Sequence, residues 1–161
     1  MAIERSIIAA AVLLALDVAF SGSVLNSMIF CPIWFLVSLL KNAVQRPGWR
    51  LALVRIAIPA LTLRIVLANN AFQLRIARAN ARRIVAACEA YHAANGKFPT
   101  DLHELVPQYM PSVPVAKHCL AWGRFIYSSS DSERPLLFWH VVPPHGRSIY
   151  DFETRRWSYL D

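Results

Sequence analysis

The stretch Ala90-Tyr91-His92-Ala93-Ala94-Asn95-Gly96-Lys97-Phe98-Pro99-Thr100-Asp101-Leu102-His103-Glu104-Leu105-Val106-Pro107-Gln108-Tyr109-Met110-Pro111 decides how the chain folds. Leading into it, Ile84, Ala87, Cys88 and Tyr91 keep the i, i+3, i+4, i+7 spacing of one buried helical stripe. Asn95-Gly96 supplies a left-handed stop. Phe98-Pro99 then makes an extended corner, because a residue before proline is pushed out of the helical region. Thr100 or Asp101 caps a short helix whose Leu102, Leu105 and Val106 face inward, and Pro107 ends it.

Downstream, Phe125–Ser129, Leu136–Val142, Ser148–Glu153 and Trp157–Leu160 are aromatic and β-branched runs. Ser130-Asp131-Ser132-Glu133-Arg134-Pro135, Pro143-Pro144-His145-Gly146-Arg147 and Thr154-Arg155-Arg156 separate them. Three or four antiparallel strands packed on the helical stripe make an α+β unit of about 90 residues, enough for a modest core. Trp122, Tyr127, Phe138, Trp139, Tyr150, Phe152, Trp157 and Tyr159 are mostly its core.

Upstream, residues 71–83 hold neither Gly nor Pro and are rich in Ala and Arg, so the helix that stops at Gly96 continues back without a break. It runs back into an apolar segment from Leu51 to about Leu74. From Ile7 to Leu40 the chain is also almost continuously apolar. As one helix that run would measure about 50 Å, well beyond a hydrocarbon core of about 30 Å, so it folds back at Ser21-Gly22-Ser23. The expectation is three transmembrane helices, at about 7–20, 24–40 and 51–74, the third carrying the head. Residues 1–70 are then a membrane anchor and 71–161 the α+β head. A signal peptide is the competing reading of the first segment, but Glu4-Arg5 makes a weak basic start.

The charge agrees with an anchor. Of the chain's 161 residues, 56% are hydrophobic and 17% charged, with a formal net charge of +7. Ten basic residues against Glu4 and Asp17 leave residues 1–83 at +8, which puts the remainder at −1. The excess lies beside the apolar stretches rather than on a soluble face interleaved with aromatics, which argues for membrane lipids as partner and against nucleic acid. Arg75, Arg78, Arg82 and Arg83 are candidates for lipid head-group contact, with a solvated helix surface as the alternative. Arg64 lies deep in the third segment and Asp17 is the one acidic residue of the apolar regions. At about 20 and 15 Å depth an Asp17–Arg64 intramembrane ion pair is expected, against a tilted segment in which each charge reaches water alone.

The junction at Ala90 to Pro111, with Tyr91, Gly96, Phe98, Pro99, Leu102, Leu105, Pro107 and Tyr109, resembles the globular heads of type IV pilins and, more closely, the major pseudopilins of type II secretion. There a long helix enters an "A-x-x-Y…N-G-x-[YF]-P" junction, then an "L-x-x-L-v-P-x-Y" turn and a small antiparallel sheet. The likeness covers about residues 71–161. The N-terminal region departs from that family: Met1 to Arg5 is not the short basic leader, and Gly22 is not followed by an aromatic-led span carrying a glutamate. The resemblance therefore implies a pilin-like head on a multi-span anchor, a partner or accessory rather than a filament subunit.

Such a head belongs in the periplasm of a bacterial inner-membrane protein. In that compartment Cys88 and Cys119 are a candidate disulfide, closing a loop of about 30 residues worth about 3 kcal/mol, with two separate thiols as the alternative. Cys31 reads as packing. Catalytic signals are lacking: the five histidines show no sustained ligand spacing, and no phosphate loop or nucleophile elbow occurs. Asp131, Glu133, Asp151 and Glu153 lie near turns and read as solvated acids before calcium ligands. The expected function is non-enzymatic, without cofactor or metal. It is that of an accessory or assembly subunit of an envelope complex, working by contact with other membrane or envelope proteins. The alternative is a membrane-anchored sensor of a small molecule or metal.

Overall fold

A computed structural model of the chain describes residues 2–130 and 133–161. The chain divides into two compact units, one of residues 1–72 with 119–121, the other of residues 73–118 with 122–161. The architecture is α+β, with a long helix, two further apolar helical segments and a four-stranded antiparallel sheet.

In the first unit, α1 (Ala2–Leu14) continues as a π-helical segment (Ala15–Ser21) that ends on Gly22, at φ 57°. Glycine reaches that left-handed conformation without a Cβ penalty. The chain then reverses into α2 (Leu25–Gln45), and a turn through Arg46 leads into α3 (Trp49–Asn95). Two of these helices, α2 and α3, are long and apolar enough to cross a membrane. The expectation of three transmembrane helices is thus corrected. The 13 residues of α1 would rise only about 20 Å, short of a hydrocarbon core of about 30 Å, and the regular helix then gives way to the π segment.

Asp17, in the π segment, is fully buried. Its carboxylate accepts from the Asn26 side-chain amide at 2.9 Å and from the Ser27 backbone N–H at 2.7 Å. The first N–H groups of any helix lack an intrahelical acceptor, so the carboxylate satisfies an orphan of α2 and gains from that helix's positive end. The expected Asp17–Arg64 ion pair is not formed: Asp17 is satisfied within its own hairpin, and Arg64 is exposed. Leu120 and Ala121, in the short segment that groups with these helices, donate their backbone N–H to Ala19 and Phe20 at 3.0 Å each.

In the second unit, the latter part of α3 presents Ala77, Ala81, Ile84, Ala87 and Cys88 to a core completed by Leu102, Leu105, Phe125, Leu137, Trp139, Tyr150 and Phe152. The sheet runs in sequence order through β1 (Ile126–Ser130), β2 (Glu133–Val142), β3 (Gly146–Asp151) and β4 (Arg156–Leu160). Leu137 pairs with Tyr150 and Tyr150 with Trp157, while Trp139 pairs with Ser148 and Ser148 with Tyr159. Directly paired residues share a face, so these two rows line the same side of the sheet. β2 already begins at Glu133 and takes in Pro135, earlier than the turn residues suggest. Of the expected turn acids, Asp131 and the side chain of Glu133 lie outside the described residues. Asp151 Oδ1 accepts from the N–H groups of Glu153 and Thr154, and Glu153 pairs with Arg134 at 3.0 Å.

Candidate functional site

The junction at Ala90 to Pro111 forms as local chemistry demands. Gly96, at φ 72°, ends α3 and donates to the His92 carbonyl at 2.8 Å. Phe98 stacks on His92 with 4.3 Å between ring centres and tilts against Phe152 at 5.2 Å, and Pro99 is fully buried. Asp101, not Thr100, caps the short 3-10 helix Leu102–Leu105, its carboxylate accepting from the His103 N–H at 2.7 Å. Leu102 and Leu105 are buried, whereas Pro107 is exposed beyond the helix.

Thr100 instead serves Glu104, whose carboxylate accepts from the Thr100 hydroxyl and N–H and, at 2.8 Å, from the Tyr91 hydroxyl. These hydrogen bonds, that from the Thr100 hydroxyl foremost, hold the Glu104 pKa below the usual carboxylate range. The reciprocal bond raises the Tyr91 phenol. Tyr109 meets Tyr91 edge-on at 5.6 Å.

The cysteines are free thiols. The expected Cys88–Cys119 bridge is therefore not formed. Cys88 is sealed in the helical stripe, where burial pushes its pKa up to about 12, and Cys119 belongs to the segment that groups with the first unit. A thiol held so firmly protonated is a poor nucleophile. Among the described residues no three His, Cys, Asp or Glu side chains are grouped as metal ligands would be.

Lys117 is buried at 1% exposure and donates to the Val141 carbonyl at 2.7 Å. Near it His140 is buried against the Trp122 ring. Burial first, then the charges of Arg147 and Lys117, lowers the His140 pKa below that of a free imidazole. The pair lies inside the fold and contributes to its structure rather than to an open site.

One open cleft lies between α3 and the sheet. Arg75, Arg78, Arg82 and Arg83 are all exposed, but only Arg78 and Arg82 line a cleft there, with Trp139, Ser148 and Trp157. Residues four apart lie on one helix face, so the two guanidinium groups flank the fully buried Ala77 and Ala81, whose small side chains let the sheet come close. Trp139 and Trp157 meet edge to face at 5.3 Å, and Tyr150 supports Trp157 at 4.8 Å.

The Trp139 indole N–H is buried and has no hydrogen-bond partner. The cleft measures about 210 Å³, below the several hundred Å³ of a typical cofactor pocket. Two guanidinium groups beside aromatic faces and a hydroxyl suit a carboxylate, such as an acidic side chain.

Beside the cleft runs β4, every residue of which is exposed, with Trp157 at 43%, Tyr159 at 53% and Leu160 at 56%. β4 closes one side of the sheet, so among the described residues its outer backbone edge has no neighbouring strand. The sequence singles out Arg78 and Arg82 only among four arginines for lipid head groups, and Trp139 and Trp157 as core; Trp139, Ser148 and Trp157 join the arginines from strands some 60 to 80 residues away. No protein-family model, curated protein or solved structure matches this chain.

Proposed function

We propose that the chain is a membrane-anchored accessory or assembly subunit of a bacterial envelope complex, of the type IV pilus or type II secretion kind. In this reading the anchor lies in the inner membrane, the head lies in the periplasm, and the head acts by protein contact rather than chemistry. The observation that carries the reading is the uncovered outer strand β4. Its exposed Trp157, Tyr159 and Leu160 accompany an open backbone edge and the Arg78–Arg82 cleft. Exposed edges with apolar side chains invite an added strand, and soluble domains normally blunt them with charge or cover. A partner that adds a strand to β4 and sets an acidic side chain in the cleft satisfies both features at once. The likeness to pilin heads rests on the junction from Tyr91 to Tyr109 followed by an antiparallel sheet.

The test is copurification from membranes in mild detergent, with a photo-crosslinking residue in place of Tyr159. A stoichiometric envelope protein, joined through position 159 and lost in R78E/R82E, is the expected result. A bound small molecule or metal with no protein partner would establish the sensor reading instead. Thiol labelling of a cysteine appended after Asp161 checks the side of the membrane: modification by an impermeant reagent from the cytosolic face removes the periplasmic head.

A further inference from the structure

We infer that the first unit holds an anionic phospholipid, its phosphate among Arg5, Lys41 and Arg55 and one acyl chain along the groove between α1 and α2. Three helix ends supply the cations: the start of α1, the end of α2 and the start of α3. They line a cavity of about 440 Å³ whose remaining walls carry no carboxylate.

Arg55 is oriented rather than neutralised. Its guanidinium donates to Gln45 Oε1 at 2.9 Å and reaches Asn42 Oδ1 at 3.5 Å, both uncharged amides of α2. Among the described residues none of the three cations is in a salt bridge. Three like charges gathered at one end of an apolar bundle repel each other unless an anion joins them.

Beside this cavity lies a second, almost wholly apolar one. Ala9, Trp34 and Val37 line both, and Leu13, Phe30 and Ile33 extend the second away from the charges. A basic pocket with an apolar groove sharing its wall has the layout of one molecule with a charged head and a fatty chain. A free phosphate would leave the groove unused, and a zwitterionic lipid would leave the positive charge uncompensated. At the same end Trp49 is 73% exposed, with the Arg50 guanidinium 5.3 Å from its ring centre. Exposed tryptophan beside arginine is the usual composition at head-group depth.

The test uses the full chain, delipidated in detergent and analysed by native mass spectrometry against phosphatidylglycerol and phosphatidylcholine of the same acyl chains. One phosphatidylglycerol per chain, retained at least tenfold better than phosphatidylcholine and reduced tenfold in R5Q/K41Q but not in R78Q/R82Q, is the expected result. Equal retention of the two lipids by the unaltered protein overturns the inference whether or not any variant folds. Displacement of the lipid by millimolar inorganic phosphate, or loss of selectivity in R78Q/R82Q alone, overturns it as well: the first makes free phosphate the ligand and the second moves the site to the head.

Discussion

The two units sort their side chains in opposite ways. In the head, Ile84, Leu105, Leu137 and Trp139 are buried, as in any water-soluble core. In the first unit the buried set includes Asp17, Ser23, Ser27, Ser38 and Thr62, while Ile7, Ile8, Phe30, Ile33, Leu36 and Leu40 are exposed. Water drives apolar groups inward, whereas hydrocarbon offers no such gain and makes an unsatisfied polar group costly; the pattern of the first unit is compatible with two helices long and apolar enough to cross a membrane. The two units thus bury different classes of side chain.

Substitutions that are equivalent on paper separate the units. Leu105→Ala, in the head core, should cost about 3 kcal/mol. Leu36→Ala, on the exposed face of α2, should leave unfolding in detergent nearly unchanged; thermal melts of both variants check this, and a similar loss from each would undo the contrast. Asp17→Ala removes the acceptor for Asn26 and Ser27 and should cost about 2 kcal/mol, whereas Arg64→Gln should cost little. If Arg64→Gln instead matched Asp17→Ala in a double-variant cycle, the two charges would be coupled after all.

Asp101→Ala removes the cap of the short helix and should lower head stability by about 1 kcal/mol, read by denaturant titration.

The smallest effect expected is on pH dependence, and it belongs to the head. The His140 pKa is lowered in the fold, so protonation favours unfolding. Its contribution is complete above the unfolded value near 6.5 and declines as pH falls below that. Glu104 is also lowered, but as an acid: its contribution is present above the ordinary carboxylate range and is lost as pH falls through the depressed folded value. Stability of the head should decline in two steps on acidification, and His140→Gln should remove only the upper one.

Much of the fold was legible because the signals are local. Gly22 and Gly96 mark reversals, Asp101 caps, and Leu102 and Leu105 follow it into the core. The four strands fall within a few residues of their aromatic and β-branched runs, since alternation and turn residues act over short distances. What was not legible depends on partners that no residue type advertises. The π segment shortens α1 without a sequence signal, and Asp17 is satisfied nine and ten residues away by Asn26 and a main-chain donor instead of by the distant arginine. Lys117 gives no hint in sequence that its ammonium ends inside on the Val141 carbonyl. The cleft at Arg78 and Arg82 requires β2, β3 and β4 to be placed before Trp139, Ser148 and Trp157 can be seen beside the helix.

The bond from residue 27 to Asp17 has a consequence for how the chain tolerates change over time. Because the hydrogen comes from the peptide unit, position 27 is free to drift among compact residues, proline alone being barred by chemistry. Position 17 has no such latitude, as it must keep a short side chain ending in oxygen. Among descendants of this sequence the two sites should therefore vary independently, one loose and one nearly frozen, although they touch.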